Sequence, residues 1–156
     1  MPRTMLEFDY EALTANRRVV AFALANQFLA VQRAFADALD LDPTSVAIFL
    51  TVSVTNIQRI ARDPTTAPGL RHDAPMPEHM MTGISRRRIA ESTGLPRETV
   101  RRRVGELIAR GLLCETAGGV RGASGFLAAN SALMGRVLLS LGGVVDTLDA
   151  ATRLSR

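Results

Sequence analysis

From about Phe8 to Leu39 the apolar residues Leu13, Val20, Leu24, Phe28, Val31, Phe35 and Leu39 recur at intervals of three, four and seven. That is the spacing of one face of a long helix. Val19, Phe22 and Leu29 widen the face. A helix apolar around much of its circumference is not satisfied by laying one side on a small domain, so the pattern predicts a second subunit against it. Near the other end Leu133, Val137, Leu141, Val144, Val145 and Leu148 share one helical side, with Arg136 the only charge before Asp146. Gly142-Gly143 would kink this helix or let another approach closely.

Between these ends the periods are shorter. Asp42-Pro43 offers an N-cap followed by proline at the first helical position, and Val46, Leu50, Val54, Ile57 and Ala61 continue at helical spacing. The β-branched run from Ile48 to Val54 would also suit a strand, but no turn signal interrupts it and a helix is the better reading. Residues 63–83 hold four prolines and two glycines without periodicity and read as an irregular insertion. Ser85 can then cap a helix to about Ser92 with Ile89 and Ala90 inward, and Gly94 permits a tight left-handed turn. A further helix starts near Pro96 with Val100, Val104, Leu107 and Ile108 on its inner side, and Gly111 stops it. "LLCETAGGVRG" reads as a strand, a turn at Gly118 and Gly119, and a return strand, to which "MTGI" before Ser85 could pair.

The fold class is therefore mostly α: a helix-turn-helix with a short β-hairpin wing, between long N- and C-terminal helices that serve dimerisation. The expected organisation is an N-terminal dimerisation helix over 1–42, a winged helix-turn-helix unit over 43–125 carrying the 63–83 insertion, and a C-terminal dimerisation helix over 126–156. Together the end segments carry more apolar surface than one winged unit covers, and a homodimer is the physical expectation.

Charge sharpens the picture. The 156-residue chain has nineteen basic residues, all arginine, and a net charge of +4. Ile84 to Arg121 holds nine of those arginines against four glutamates, a local excess of five, while the remainder is slightly acidic. Such a patch suits an anionic partner.

The stretch "SRRRIAESTGLPRETVRRRVGELIARGLL" resembles the winged helix-turn-helix of bacterial transcription regulators: a serine, an Ile-Ala pair, Gly-Leu, Thr-Val, an arginine two residues after that valine, and a terminal Gly-Leu-Leu. With long helices at both ends the chain is most similar to the MarR family, whose terminal helices form the dimer interface. Leu-Pro-Arg-Glu-Thr-Val also resembles the start of IclR-type recognition helices. The resemblance implies a dimeric repressor that binds an inverted repeat in double-stranded DNA. The competing class is a winged protein-interaction or assembly module that does not bind DNA, since fold alone does not fix function.

Successive helical residues turn by about 100°, so three arginines in a row fan out. With Val100 inward, Arg102 lies opposite the core and is placed to hold guanine O6 and N7 in the major groove. Arg101 and Arg103 flank it and suit phosphates. Glu98 could accept from cytosine N4 or tune the local charge, and Thr99 resembles the family's phosphate-binding threonine. Arg97 opens the same helix. Ser85, Arg86 and Arg87 stand at the start of the preceding helix, whose positive dipole end would approach the backbone. Arg88 is assigned to the fold. Arg121, just past the wing turn, could enter the minor groove or lie on the surface.

Other chemistry is thin. Cys114 is alone, which excludes an internal disulfide and suits a reducing compartment; it reads as a small core residue. His72 and His79 lie in the proline-rich insertion without ligand spacing, so no metal is expected, and no cofactor or catalytic set stands out. Glu7, Asp9 and Glu11 precede the first apolar stretch, unlike the basic start of a signal peptide, and no run of eighteen uninterrupted apolar residues occurs. A cytoplasmic protein without a membrane span is expected. A regulator of this kind can couple to a small apolar effector, for which Phe22, Phe28, Phe49, Met76, Met80 and Met81 are candidate contacts, though such residues also fill cores.

Overall fold

The computed structural model describes residues 10–62 and 76–153. Its elements are α1 (Tyr10–Ala15), α2 (Arg17–Leu39), α3 (Pro43–Arg62), a 3-10 turn (Glu78–Met80), α4 (Arg86–Thr93), α5 (Arg97–Ala109), strands β1 (Leu113–Thr116) and β2 (Gly119–Gly122), a short α6 (Phe126–Ala129) and α7 (Ser131–Arg153). Mostly helical architecture with one hairpin agrees with the periodicity. The chain divides into two compact units, one of residues 1–34 with 133–156, the other of residues 35–132.

The unit of residues 35–132 is built around Phe49. Its ring centroid stands 4.8 Å from that of Phe126 and 6.1 Å from that of Phe35. Val46, Ile48 and Val52 from α3, Ile89 from α4, Val100, Val104 and Leu107 from α5, and Leu113 and Val120 from the hairpin are buried. Asp42 starts α3 as expected: one carboxylate oxygen accepts from the Thr44 and Ser45 amides at 3.0 and 3.2 Å, and the other accepts from the Ser45 hydroxyl at 2.7 Å. Thr51 and Ser53 within the strand-like run, and Thr55 just after it, donate their hydroxyls back to the carbonyls of Ala47, Phe49 and Thr51, which satisfies these polar groups inside the helix.

The inward face of α3 is rotated from the expected one. Val46, Phe49, Val52 and Asn56 are buried, whereas Val54 is 61% and Ile57 40% exposed. An α3 with apolar residues on several sides offers more than one stripe to its neighbours. The stripe chosen is the one that packs α4, α5 and β2 at once.

In the other unit the helix expected from about Phe8 breaks at Asn16, whose main-chain and side-chain amides both donate to the Ala12 carbonyl at 3.0 Å. The helix α7 runs without interruption through Gly142 and Gly143. Gln27 of α2 donates to the Ser140 hydroxyl of α7 at 3.2 Å, and Ala12, Ala23, Leu133 and Val144 are buried. Much of the apolar surface is not: Phe22 and Phe28 are 66% exposed and Leu139 81%, with Leu24, Leu29, Leu138 and Val145 also open. By length and composition Arg17–Leu39 and Ser131–Ala150 are apolar enough to cross a membrane, which a search for uninterrupted apolar runs misses because single charges divide both helices.

Candidate nucleic-acid interface

The turn between α4 and α5 is fixed at each step. Ser85 has extended backbone and its hydroxyl accepts from the Arg88 amide at 3.3 Å, so its role is that of an N-cap. Gly94 ends α4 with φ of 71° and donates its amide to Ala90 O at 2.9 Å, a left-handed position that a side chain would strain. Three residues later α5 begins, with Val100, Val104 and Leu107 inward and Ile108 half-buried.

The wing is an antiparallel pair with Leu113 opposite Gly122, Cys114 opposite Arg121, Glu115 opposite Val120 and Thr116 opposite Gly119. Its turn is Ala117-Gly118, one residue earlier than expected. The segment before Ser85 pairs with the wing as the sequence suggested: Ile84 and Val120 exchange both main-chain hydrogen bonds at 2.9 Å. Gly119 makes this approach possible, because a Cβ there would lie 2.6 Å from Ile84 O.

Asn56 holds this assembly together and escaped the sequence reading. It is 2% exposed, donates its amide to Thr82 O at 2.5 Å and accepts from the Gly122 amide at 2.7 Å. One side chain thus ties α3 to the segment before α4 and to the wing. The available signal was a polar residue four positions after Val52 on a buried helical stripe. Asn56→Ala removes the partner of the half-buried Gly122 amide and of the Thr82 carbonyl, and is expected to cost roughly 1–3 kcal/mol if the amide is left unsatisfied. Urea denaturation of variant and wild type measures it.

On α5 the fan of arginines appears, with acids interleaved. Arg101 grips Glu98 through Nε at 2.9 Å and Nη2 at 2.6 Å, and hydrogen bonding from Arg101 holds the Glu98 carboxyl below its usual range. Arg102 has a long contact of 3.7 Å to Glu106 and a side chain 59% exposed. On α4, Arg87 pairs with Glu91 at 2.8 Å, lowering that carboxyl, and Arg86 pairs with Glu115 on the wing. Arg97, Glu98, Arg101 and Arg102 are exposed and Thr99 is half-buried at the start of α5.

Two arginines depart from their expected roles. Arg103 turns toward the base of α3, 3.2 Å from Asp42 and 2.9 Å from Glu106, and its side chain is only 26% exposed. It braces α5 against the α3 cap, so its expected phosphate contact does not fit this conformation. Arg121 is buried beside the wing with Nη1 3.5 Å from Met81 Sδ. Strand pairing sets it back from the Ala117-Gly118 tip, which removes the expected minor-groove contact and the surface alternative together. Arg110 is also structural: it donates to Asp40 O at 2.8 Å and to Leu39 O, closing the end of α2.

The Asp42 carboxyl gives a pH test. Burial pushes its pKa up, but hydrogen bonds from the Ser45 hydroxyl and amide, the Arg103 charge and the Thr44 amide outweigh that and hold it below 3.8. A depressed carboxylate contributes stability above its unfolded pKa and loses it as pH falls through the folded one. Asp42→Asn keeps a capping side chain and removes the charge. Its deficit against wild type should be full at neutral pH and shrink as pH falls past 3.8, as followed by thermal melts.

The expected effector contacts are not assembled in either unit. Phe22 and Phe28 belong to one, and Phe49, Met76, Met80 and Met81 to the other. Phe49 is a fully buried core residue. Met76, Met80 and Met81 are half-buried. Cys114 is half-buried rather than fully so, with its thiol 3.8 Å from Gly122 O. His79 is exposed on the 3-10 turn, while His72 and the insertion from 63 to 75 lie outside the described residues.

A family model of winged helix-turn-helix DNA-binding domains matches residues 83–113, from the segment before Ser85 to the first residue of β1. No curated protein and no solved structure matches the chain significantly. Fold and family match together define a winged helix-turn-helix unit of the DNA-binding class that transcription regulators carry.

Proposed function

We propose that the protein is a dimeric, sequence-specific regulator of transcription, MarR-like in plan and a repressor, whose α5 enters the major groove of duplex DNA. The observation that carries this reading is the coincidence of the family match at 83–113 with an exposed arginine face on α5. Arg102 is the base-reading residue. Arg86, Arg87, Arg97, Arg101 and Thr99 supply phosphate contacts, and Glu98 sets the local charge or accepts from cytosine. A gel shift against DNA flanking the protein's own gene tests the reading: a discrete shifted band resisting competitor DNA is expected, and none would contradict it.

One observation favours the competing class. Arg86, Arg87, Arg101, Arg102 and Arg103 each face a carboxylate, as in a self-neutralised surface. Exposed pairs such as those of Arg86, Arg87, Arg101 and Arg102 are worth only about 0–1 kcal/mol, less than the release of counterions from DNA returns, so phosphates can displace them.

The end helices are assigned to a homodimer rather than a membrane. The uncharged stretch between Arg18 and Arg33 spans about 21 Å of helix, and that between Arg136 and Asp146 about 14 Å, against a hydrocarbon core of about 30 Å. Charges inside such spans are costly. A second copy covers Phe22, Phe28 and Leu139 while leaving the charges at a solvated rim. A regulator that works on DNA belongs in the cytoplasm, and two copies read an inverted repeat.

A further inference from the structure

The face of α5 turned away from the core is short of side chains. Val100, Val104 and Leu107 are buried, so at about 100° per residue Glu98, Arg102, Gly105 and Ala109 share the opposite side. All four are exposed. Gly105 has open space where a Cβ would stand, and Ala109 carries a single methyl. Glu106, at the edge of this face, is drawn aside by Arg103 at 2.9 Å, which is itself braced on Asp42. Two long side chains are left to project squarely outward: Arg102, 59% exposed, and Glu98, 74% exposed. They stand one turn apart, about 6 Å along the helix, which is less than two base-pair steps of about 3.4 Å.

A carboxylate on that face carries a cost that an arginine does not. In the free protein Arg101 answers Glu98 through two hydrogen bonds. Once Arg101 turns to a phosphate, Glu98 faces a polyanion with oxygens that accept but cannot donate. The donors that bases present in the major groove are the amino groups of cytosine and adenine. Adenine N6 has an acceptor on both sides, its own N7 and the paired thymine O4, whereas cytosine N4 has one only, the paired guanine O6. A carboxylate therefore meets least repulsion beside cytosine.

We infer that Glu98 is a specificity-determining residue that selects cytosine by penalising every other base, so that each half-site carries a cytosine within two base pairs of the guanine read by Arg102. The inference rests on the function proposed above and adds a base identity to it. On the right sequence the cytosine amino group replaces Arg101 as the partner of Glu98, and little affinity is gained. On a wrong one the carboxylate is dehydrated without a donor, and binding is lost.

The test selects duplexes from a random-sequence pool with the full chain, as wild type, Glu98→Ala and Glu98→Gln, and then measures affinity for the selected duplex and for one with the C·G pair inverted to G·C. Wild type is expected to return a cytosine close to the guanine and to bind the inverted duplex about tenfold more weakly. Glu98→Ala should bind the inverted duplex more tightly than wild type does and lose preference at that position alone, keeping the guanine. A residue that only supported α5 would weaken both duplexes alike. Glu98→Gln, whose amide can hold adenine N6 and N7 together, should move the preference from cytosine to adenine. Glu98→Ala that selects the same sequence as wild type, or that weakens both duplexes equally, would overturn the inference while leaving the proposed function standing. Wild-type protein that enriches no sequence from the pool would count against the proposed function itself and remove the inference with it.

Discussion

Replacing Phe28 and Leu139 together with aspartate is expected to turn a dimer into a monomer and to weaken binding to an inverted repeat by about a hundredfold or more. Both side chains are well exposed, at 66% and 81%, so the substitutions remove little packing within the subunit. Burying four carboxylates in an apolar interface is prohibitive unless each is paired. Each half-site then has to be bound separately, without the effective concentration that a tethered second reading head supplies. Light scattering reports the change of mass, and binding to one half-site should be nearly unaffected. A double variant that remains dimeric would show that these faces are covered by something other than a second copy.

Arg102→Ala and Arg101→Ala are expected to differ in kind. A bidentate contact to guanine is worth about 1–3 kcal/mol of discrimination, so Arg102→Ala should lower affinity for the operator by roughly ten- to a hundredfold while flattening preference at one base pair per half-site. Arg101 must first release Glu98, held through two hydrogen bonds, and then contacts only charge. Its removal should weaken all sequences alike and reduce the log–log salt slope by about 0.9 for each phosphate that is no longer neutralised. A competition assay on operators varied one base pair at a time separates the two. Equal weakening on every sequence by Arg102→Ala would mean that α5 lies in another orientation.

The contrast between these arginines shows what the sequence could and could not reveal. Periodicity located α3, α4 and α5, and Ser85, Gly94 and Asp42 fell at the caps their chemistry suits, because these are local effects of a few residues. Which stripe of α3 turns inward depended on partners far along the chain, so Val54 was read as core and emerged exposed. Arginine roles were the least legible. A long side chain reaches partners in other elements, and neither Arg103 beside Asp42 nor Arg121 beside Met81 has a neighbour in sequence that announces it.

Dimethyl sulfate protection of guanines tests the central claim most directly, because the reagent methylates N7 in the major groove, where Arg102 is proposed to bind. On DNA flanking the gene, wild-type protein is predicted to protect guanines in two clusters about 34 Å apart, one helical turn, or a multiple of that spacing. Arg102→Ala should abolish the protection at one guanine of each cluster while retaining the rest of the footprint. Folded protein that shifts this DNA yet leaves every guanine N7 reactive would contradict an α5 in the major groove.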